Sequence, residues 1–466
     1  MMLNLSSINL NDHEQFYVQY PGSIQSHGVL LVIDIQTLNI IQVSENTQDF
    51  LGIKPRTLLG KPLNYLLSSK TITNILGFVD KNNHEYVEKI KLKRNPKKLK
   101  FRGIFHTIQD SLILELEPLS PEDNKSSIEI YNLFRNSIIN IELTNNLEEI
   151  LQIITQEVRK ITQFDRVLIY RFEFDSSGVV LAEDKREDIE SYLGLHYPAY
   201  DIPTPARQFY SSNWLRIIPN VFYQPIPIIP RQHPLRNEEL DLSHAVLRSV
   251  FPCHVQYLKN MGVSASMSIS IMNESKLWGL IACHHYSPKY ISYETRKICE
   301  FLGQFISAKL LYKQEEKFRE YRRQIQQIQS LIRDELNKNY NSISNVFNKN
   351  KGHLINLTHS QGLAICLDEK ISLIGKTPTQ EQIEDLIINF LTPQKIEIFY
   401  TDSLEKNYPK AAEFQNKACG ILAISIFLTN SNYHIIWFRT EQAHEVKWAG
   451  NPDDFTVISD EHNMTQ

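Results

Sequence analysis

The stretch LRSVFPCHVQYLKNMGV, residues 247–263, sets a thiol beside an imidazole at Cys253 and His254, with Arg248 and an apolar Val250-Phe251-Pro252 run upstream. A thiol in such company can be a nucleophile, a metal ligand, a buried packing group or an attachment point. Ser243 can cap a helix running through Val250, which Pro252 would interrupt. Pro252 also suits the first turn of a new helix through Asn260, stopped by Gly262. Cys253 would then stand at a helix N-terminus, where the macrodipole favours the thiolate. Tyr257 would share its face at i, i+4, with His254 beside it.

A cysteine hydrolase needs a base, a group that orients the base, and an oxyanion hole. His254 is adjacent in sequence, so on a helix it points about 100° away from Cys253. His196, His284 and His285 remain as bases, but no local protease signature surrounds them. A metal centre built from Cys253, Cys283, His284 and His285 meets another obstacle. Neighbours on a strand point to opposite faces, so Cys283 and His285 cannot converge with His284. Catalysis and metal binding are both disfavoured, which leaves inert packing or attachment.

The rest of the chain must position this stretch. Its 466 residues suggest about three domains at roughly 150 residues each. Hydrophobic content of 42% and charged content of 22% are those of a soluble globular protein. A net charge of −4 gives no electrostatic case for nucleic-acid binding. The opening MMLNLSSINLNDHEQ lacks the pattern of a signal peptide, and the apolar run Cys419–Leu428 is about half a membrane span. The five cysteines, Cys253, Cys283, Cys299, Cys366 and Cys419, form no CxxC pair, which speaks against a disulfide framework or structural zinc and for a reducing cytoplasm.

Three segments follow from the patterning. In residues 1–123, VLLVID and NIIQVS read as strands, FLGIKPRTLLGKPL as short helices, and Lys89–Leu119 as two or three further strands. The basic run Lys89–Lys100 reads as a solvated edge. The charged link SPEDNKSS then leads into residues 124–310: two helices, the strand RVLIYRF, a turn at residues 175–178, and the strand VVLAE. The long loop Leu193–Pro234 is rich in Pro and aromatics, so it reads as functional rather than disordered. The pair SMSISIMNESKLWGLIACHH, strand-turn-strand, closes the segment. From Tyr293 to about Phe347 one long helix is expected. Phe318, Tyr321, Ile325, Ile328 and Ile332 form a coiled-coil-like seam, for a dimer contact or for packing on its own domains. In residues 311–466, CGILAISIFLTNSNYHIIWFR repeats the strand-turn-strand logic.

These residues carry a family resemblance. LRSVFPCHVQYLKNMGVSASMSISI with LWGLIACHHYSPKYI resembles the chromophore-binding GAF domain of cyanobacterial and plant-type phytochromes. YPAYDIPTPARQFY resembles that family's Asp-Ile-Pro loop, and PGSIQSHGVLLVID the start of its PAS domain. WFRTE (437–441) and KWAGNP (447–452) resemble the outgoing arm of the PHY-domain tongue. The match spans nearly the whole chain, in order.

The resemblance implies an α+β fold of tandem PAS, GAF and incomplete GAF-like PHY domains, each an antiparallel sheet flanked by helices, with a long helix linking GAF and PHY. It implies a red/far-red photoreceptor carrying a covalently bound linear tetrapyrrole and signalling by Z/E photoisomerisation. Cys253 would anchor the pigment as a thioether. No cysteine lies in residues 1–252, which points to phycocyanobilin or a similar reduced bilin rather than a pigment anchored before the PAS domain. Arg216 and Arg248 would grip the propionates, assisted by Ser266 and Ser268. Tyr170, Tyr197 and Tyr257 would line the slot. Asp201 would contact the pyrrole nitrogens through its main-chain carbonyl and serve switching through its carboxylate. His254 would join the proton network and His284 would bond the ring D carbonyl. Tyr200 and Ser26 depart from the family's usual Ser and Pro. After KWAGNP the family returns with a Pro-Arg-x-Ser-Phe arm, whereas DDFTVISDEHNMTQ stands here. The chain is therefore expected to be truncated, without the arginine that would pair with Asp201 and without a kinase, its output passing to an unknown partner. The rival reading is a GAF-type sensor of a non-covalent ligand such as a cyclic nucleotide.

Overall fold

The computed structural model describes residues 18–80, 85–94, 98–120, 127–144, 146–338, 343–367, 370–427, 432–442 and 445–450. The chain divides into two compact units, Met1–Tyr312 with Val446–Gln466, and Lys313–Glu445.

The first unit holds two sheets among the described residues. Strands β1 (Ser23–Ile24), β2 (Val29–Asp34), β3 (Ile40–Ser44), β4 (Tyr86–Ile90), β5 (Phe101–Ile108), β6 (Ser111–Pro118) and the distant β11 (Ile226–Ile229) pair in the order β1-β11-β3-β2-β6-β5-β4. Period-two alternation sorts VLLVID between two cores. Val29, Leu31 and Ile33 enter one core with Leu51, Leu58 and Leu63 from the short helical segments. Leu30 and Val32 face the other way, onto Ile228, Leu240, Leu242 and Leu247. The long loop thus covers the back of the first sheet with Ile226 and Ile228, and the segment after it adds Leu240, Leu242 and Leu247.

In the second sheet, β7 (Arg166–Phe172), β8 (Gly178–Lys185), β9 (Leu195–Tyr197), β10 (Leu215–Ile218), β12 (Ala265–Asn273), β13 (Lys276–His285) and β19 (Lys447–Trp448) pair in the order β10-β12-β13-β7-β8-β9-β19. Val167, Ile169, Ile217, Met267, Ile269, Ile281 and Cys283 pack against Ile154 and Val158 of the helix Leu147–Thr162 and against Leu302 and Ile306 of the helix Tyr293–Lys338. The opposite face carries Arg216 opposite Ser268, Ser266 opposite His284, and Leu280 opposite Tyr170. Alternation therefore sends the apolar residues to the core and the polar and aromatic set to the other side. β19 joins β9 in parallel, Lys447 opposite Leu195 and Trp448 opposite His196.

In the second unit, β14 (Gly362–Leu367), β15 (Lys370–Gly375), β16 (Ile398–Thr401), β17 (Gly420–Phe427) and β18 (Asn432–Arg439) pair antiparallel in the order β15-β14-β18-β17-β16. Read from β16, this is the order β10-β12-β13-β7-β8 of the second sheet, so the repeated strand-turn-strand pattern reflects a repeated topology. Thr379 and Gln382 form a reciprocal capping box that starts the helix Gln380–Leu386.

The expected long helix is described over Tyr293–Lys338 and helix again over Ile343–Lys349, while residues 339–342 lie outside the described set. Part of its seam packs locally: the Tyr321 hydroxyl donates to the Leu357 carbonyl, and Ile332 sits with Leu354 and Trp437. One expectation needs correction: no helix runs from Ser243 to Val250; turns lie within residues 243–247 and Arg248 forms a β-bridge with Ile24. Asp241 accepts the Ser243 N–H at 2.8 Å, and the N–H groups of Val246 and Leu247 go to Glu115 at 3.1 and 2.6 Å. Side-chain acceptors thus take donors that a helix would have used internally. Of the tongue-like pieces, Trp437–Arg439 ends β18 and Lys447–Trp448 forms β19, while Asn451 and Pro452 lie outside the described residues.

Candidate functional site

The helix Pro252–Asn260 begins with Pro252 at its first position, and Gly262 follows at φ 70°, a left-handed conformation that glycine adopts without strain. Cys253 is at the expected helix start, with its side chain exposed. His254 turns inward, its ring stacked with Tyr257 at 6.3 Å and 15°. Burial, and secondarily the charge of Arg216, pushes the His254 pKa down to about 4, so it is a neutral imidazole at physiological pH.

Facing this helix, β9 leads into a 3-10 turn, Ala199–Asp201. The Arg207 guanidinium staples that loop, Nε donating to the Ile202 carbonyl at 2.7 Å and Nη2 to the Ala199 carbonyl at 3.1 Å. The Tyr257 hydroxyl reaches across to the Asp201 carboxylate at 3.4 Å. Burial raises the Asp201 pKa to about 6, with the Tyr257 hydrogen bond pulling the other way. Tyr170 and Tyr197 complete this wall, ring centroids 5.9 Å apart, and burial raises both phenols. Gly178 lies under the Tyr170 ring, where an added Cβ would come within 1.9 Å of Cζ. The position admits no side chain without displacing the tyrosine.

At the other end, Arg216 on β10 and Arg248 both lie against the Phe209 ring, guanidinium carbons 4.0 and 3.6 Å from its centroid. Arg216 also covers Tyr210 at 4.2 Å and donates to the Phe209 carbonyl at 3.1 Å. No carboxylate among the described residues pairs with either cation, and Arg216 Nε and Arg248 Nη1 are buried without a hydrogen-bond partner. Burial lowers the Arg216 pKa to about 10; burial and then the charge of Arg216 hold Arg248 well below its ordinary value. Two adjacent, desolvated cations without counter-ions form a site made for anions. Ser266 and Ser268 lie beside it on β12, Ser268 directly opposite Arg216. His284, opposite Ser266, is buried, its Nδ1 unpartnered and its pKa down to about 3 through burial, then Arg166 and His254.

The face thus assembles Asp201, Arg216, Tyr170, Tyr197, Tyr257, Ser266, Ser268 and His284, with Arg248 and the Cys253-His254 helix alongside. His285 Nδ1 is 2.8 Å from Asp165 Oδ2, and His196 lies against Trp448 at 5.9 Å. Among the described residues no His/Cys/Asp/Glu group could hold a metal. Sequence reasoning missed Phe209 and Tyr210, which carry the arginines, though both stand in the quoted YPAYDIPTPARQFY segment. It also missed Gly178 and Glu115, which only the packing reveals.

Three family models match in sequence order: PAS fold over residues 13–119, GAF domain over 146–310 and Phytochrome region over 325–465. A bacteriophytochrome of Xanthomonas campestris is 31% identical over 449 residues, 93% of this chain and 69% of that protein. The chain belongs to the phytochrome family. Cyanobacterial phytochromes A and B of Nostoc sp. are 42% and 41% identical, each match covering 96% of the chain. The chain spans 58% and 59% of those two relatives. A bacteriophytochrome of R. palustris superimposes at a TM-score of 0.82 with 33% identity, covering 93% of this chain and 87% of that one. The phytochrome photosensory core module of Stigmatella aurantiaca does so at 0.78 with 36% identity, covering 93% and 86%. Tandem PAS, GAF and PHY regions with antiparallel sheets and a long helix after the GAF domain are the fold of this phytochrome.

Proposed function

We propose that this phytochrome chain is a red/far-red photosensory module that holds a linear tetrapyrrole covalently at Cys253. The observation that carries the reading is the pair of buried, carboxylate-free guanidinium groups of Arg216 and Arg248 at one end of an aromatic slot. A linear tetrapyrrole brings two carboxylates, an extended apolar ring system and terminal carbonyls. The residues fit each part: the two arginines with Ser266 and Ser268 take the carboxylates, Tyr170, Tyr197, Tyr257 and His254 flank the rings, and the unpartnered His284 Nδ1 offers a bond to a carbonyl.

When bound, a linear tetrapyrrole would supply the photochemistry, red or far-red absorption and Z/E isomerisation. The chain's own part is to bind, orient and exchange protons. Asp201, with its pKa near 6, is the group of the site poised closest to neutrality, and His254 stands in the same site as a neutral imidazole that can take a proton. β9 runs from its pairing with β19 straight into the Asp201 turn, so displacement of Asp201 biases that pairing. Phycocyanobilin is the favoured pigment, supported by the GAF cysteine and by the cyanobacterial relatives.

The reading includes a PAS domain over 1–123, a GAF domain over 124–310 and the long helix with the PHY domain over 311–466. It also includes a homodimer through the long helix, an output partner outside this chain, and a cytoplasmic location. Among the described residues no helix is long and apolar enough to cross a membrane. Adding phycocyanobilin to the purified, pigment-free chain tests the reading. A red-absorbing adduct that fluoresces with zinc after denaturation supports it; a folded chain that takes up no pigment refutes it.

A further inference from the structure

Arg248 is held from the first domain. On β1, Ile24 forms a backbone bridge with Arg248. The Gln25 N–H donates to the Leu247 carbonyl at 2.6 Å, and Gln25 Nε2 donates to the Arg248 carbonyl at 3.2 Å and the Ile217 carbonyl at 3.1 Å. Ser23 and Ser249 share a side-chain hydrogen bond of 2.6 Å, and the Ser249 N–H donates to the Ser23 carbonyl at 3.2 Å. From the middle of the first sheet, Glu115 on β6 presents both carboxylate oxygens to this strap: Oε1 accepts from the Val246 N–H at 3.1 Å and Oε2 from the Leu247 N–H at 2.6 Å. Gly28 leaves room for Leu247, since an added Cβ would come within 2.8 Å of its side chain.

Glu115 is fully buried and no Arg or Lys is bonded to it among the described residues; the nearest basic group is His106 Nδ1 at 3.8 Å. Burial pushes the Glu115 pKa up to about 8, against the pull of the two peptide N–H groups, so near neutrality it is largely the protonated acid, and burying so polar a group is expensive in either form. An apolar residue with a capped turn would be the stable choice if structure were the only demand. What Glu115 achieves is directional. It fixes the N–H groups of the two residues before Arg248, while Gln25 fixes the carbonyls of Leu247 and Arg248. Arg248 must be aimed at Phe209 beside a second buried cation, Arg216, which repels it. A guanidinium in that position moves away unless its backbone is clamped.

We propose that Glu115, aided by Gln25, is a positioning residue for the carboxylate clamp, setting the direction of Arg248 and hence the affinity of the chromophore domain for a ligand carboxylate. The inference rests on the tetrapyrrole reading and adds to it a role for the first domain's sheet in pigment recognition.

The experiment compares two pigments in the full chain: phycocyanobilin with free propionates, and its dimethyl ester, which keeps the ring system and the attachment chemistry but has no carboxylate for Arg248. Attachment rates are measured by absorbance for the wild type, Glu115→Gln, Gln25→Leu, Arg248→Gln and the Glu115→Gln/Arg248→Gln double variant. Glu115→Gln keeps the shape but turns an amide NH2 toward a peptide N–H. The expected result is that Glu115→Gln and Gln25→Leu each slow the free acid about five-fold relative to the ester, the size of one net hydrogen bond. In the Arg248→Gln background, Glu115→Gln should shift the acid-to-ester ratio by less than about two-fold. Equal slowing of both pigments would show a merely structural role and overturn the proposal, as would unchanged ratios. If Glu115→Gln does not fold, the Gln25→Leu ratio decides alone. If the folded wild type attaches neither pigment, the tetrapyrrole reading itself falls and this inference with it.

Discussion

Arg216 and Arg248 share one aromatic ring, Phe209, at 4.0 and 3.6 Å, and neither has a carboxylate partner among the described residues. Their mutual repulsion and desolvation are relieved only when an anion arrives. Arg248→Gln should therefore weaken capture of a free-acid bilin about ten-fold or more, the loss of a charge-assisted contact. The same change should raise the melting temperature of the pigment-free chain. Attachment kinetics and calorimetry check the two opposite signs.

Asp201 gives a pH signature. Its folded pKa of about 6 lies above its ordinary value of 3.8, so the folded state binds the proton more tightly than the unfolded chain. Its ionised carboxylate destabilises the fold above about pH 6, and that penalty disappears as pH falls below 4. Asp201→Asn should therefore stabilise the pigment-free chain at pH 8 by about 1 kcal/mol, after discounting for its partial exposure. The gain should vanish near pH 4, as denaturant titrations at the two pH values will show.

His254 titrates in the opposite sense. Its pKa of about 4 lies below the ordinary 6.5, so the unfolded chain binds its proton first and the folded state loses stability as pH falls from 6.5 to 4. Arg216 contributes to the depression, second to burial. Imidazole NMR should find His254 neutral at pH 6 in the wild type and its pKa higher in Arg216→Gln.

Gly178→Ala should disorder the slot without touching any polar group. The new Cβ meets the Tyr170 ring at 1.9 Å, so the ring must move, at a cost of about 1–3 kcal/mol. Near-UV circular dichroism should report the displaced tyrosine, with bilin attachment slowed in parallel.

Glu117 and Arg296 form a buried ion pair with both partners under 5% exposed, joined by the Tyr290 hydroxyl at 3.0 Å. Burial pushes the Glu117 carboxyl up, but the Arg296 charge together with the hydrogen bonds from Arg296 and Tyr290 outweighs it and holds the carboxyl below its ordinary range. Glu117→Gln leaves a buried cation unpaired and should cost about 3–5 kcal/mol in unfolding free energy. Replacing both with Gln and Met should recover most of that loss.

Much of this was legible from local pattern. VLLVID, RVLIYRF and the SMSISIM/LWGLIACHH pair read as strands because alternation and turn residues are local signals. Pro252 and Gly262 bounded the Cys253 helix for the same reason. The failures share one cause. Ser243 looks like a cap, but the peptide groups after it bond to Glu115, more than a hundred residues earlier, and no local pattern reports so distant a partner. The buried interior of the Leu193–Pro234 loop was equally hidden, because β11 inserts between β1 and β3. The site residues emerged only when matches scattered over the chain were read together.

The central claim is that Cys253 carries the pigment. The most direct measurement is the mass of the tryptic peptide SVFPCHVQYLK, residues 249–259, after incubation of the chain with phycocyanobilin. The account predicts that this peptide gains the mass of one intact bilin and that Cys253→Ala abolishes the covalent pigment. A bilin mass on another cysteine peptide, or covalent pigment persisting in Cys253→Ala, would contradict it.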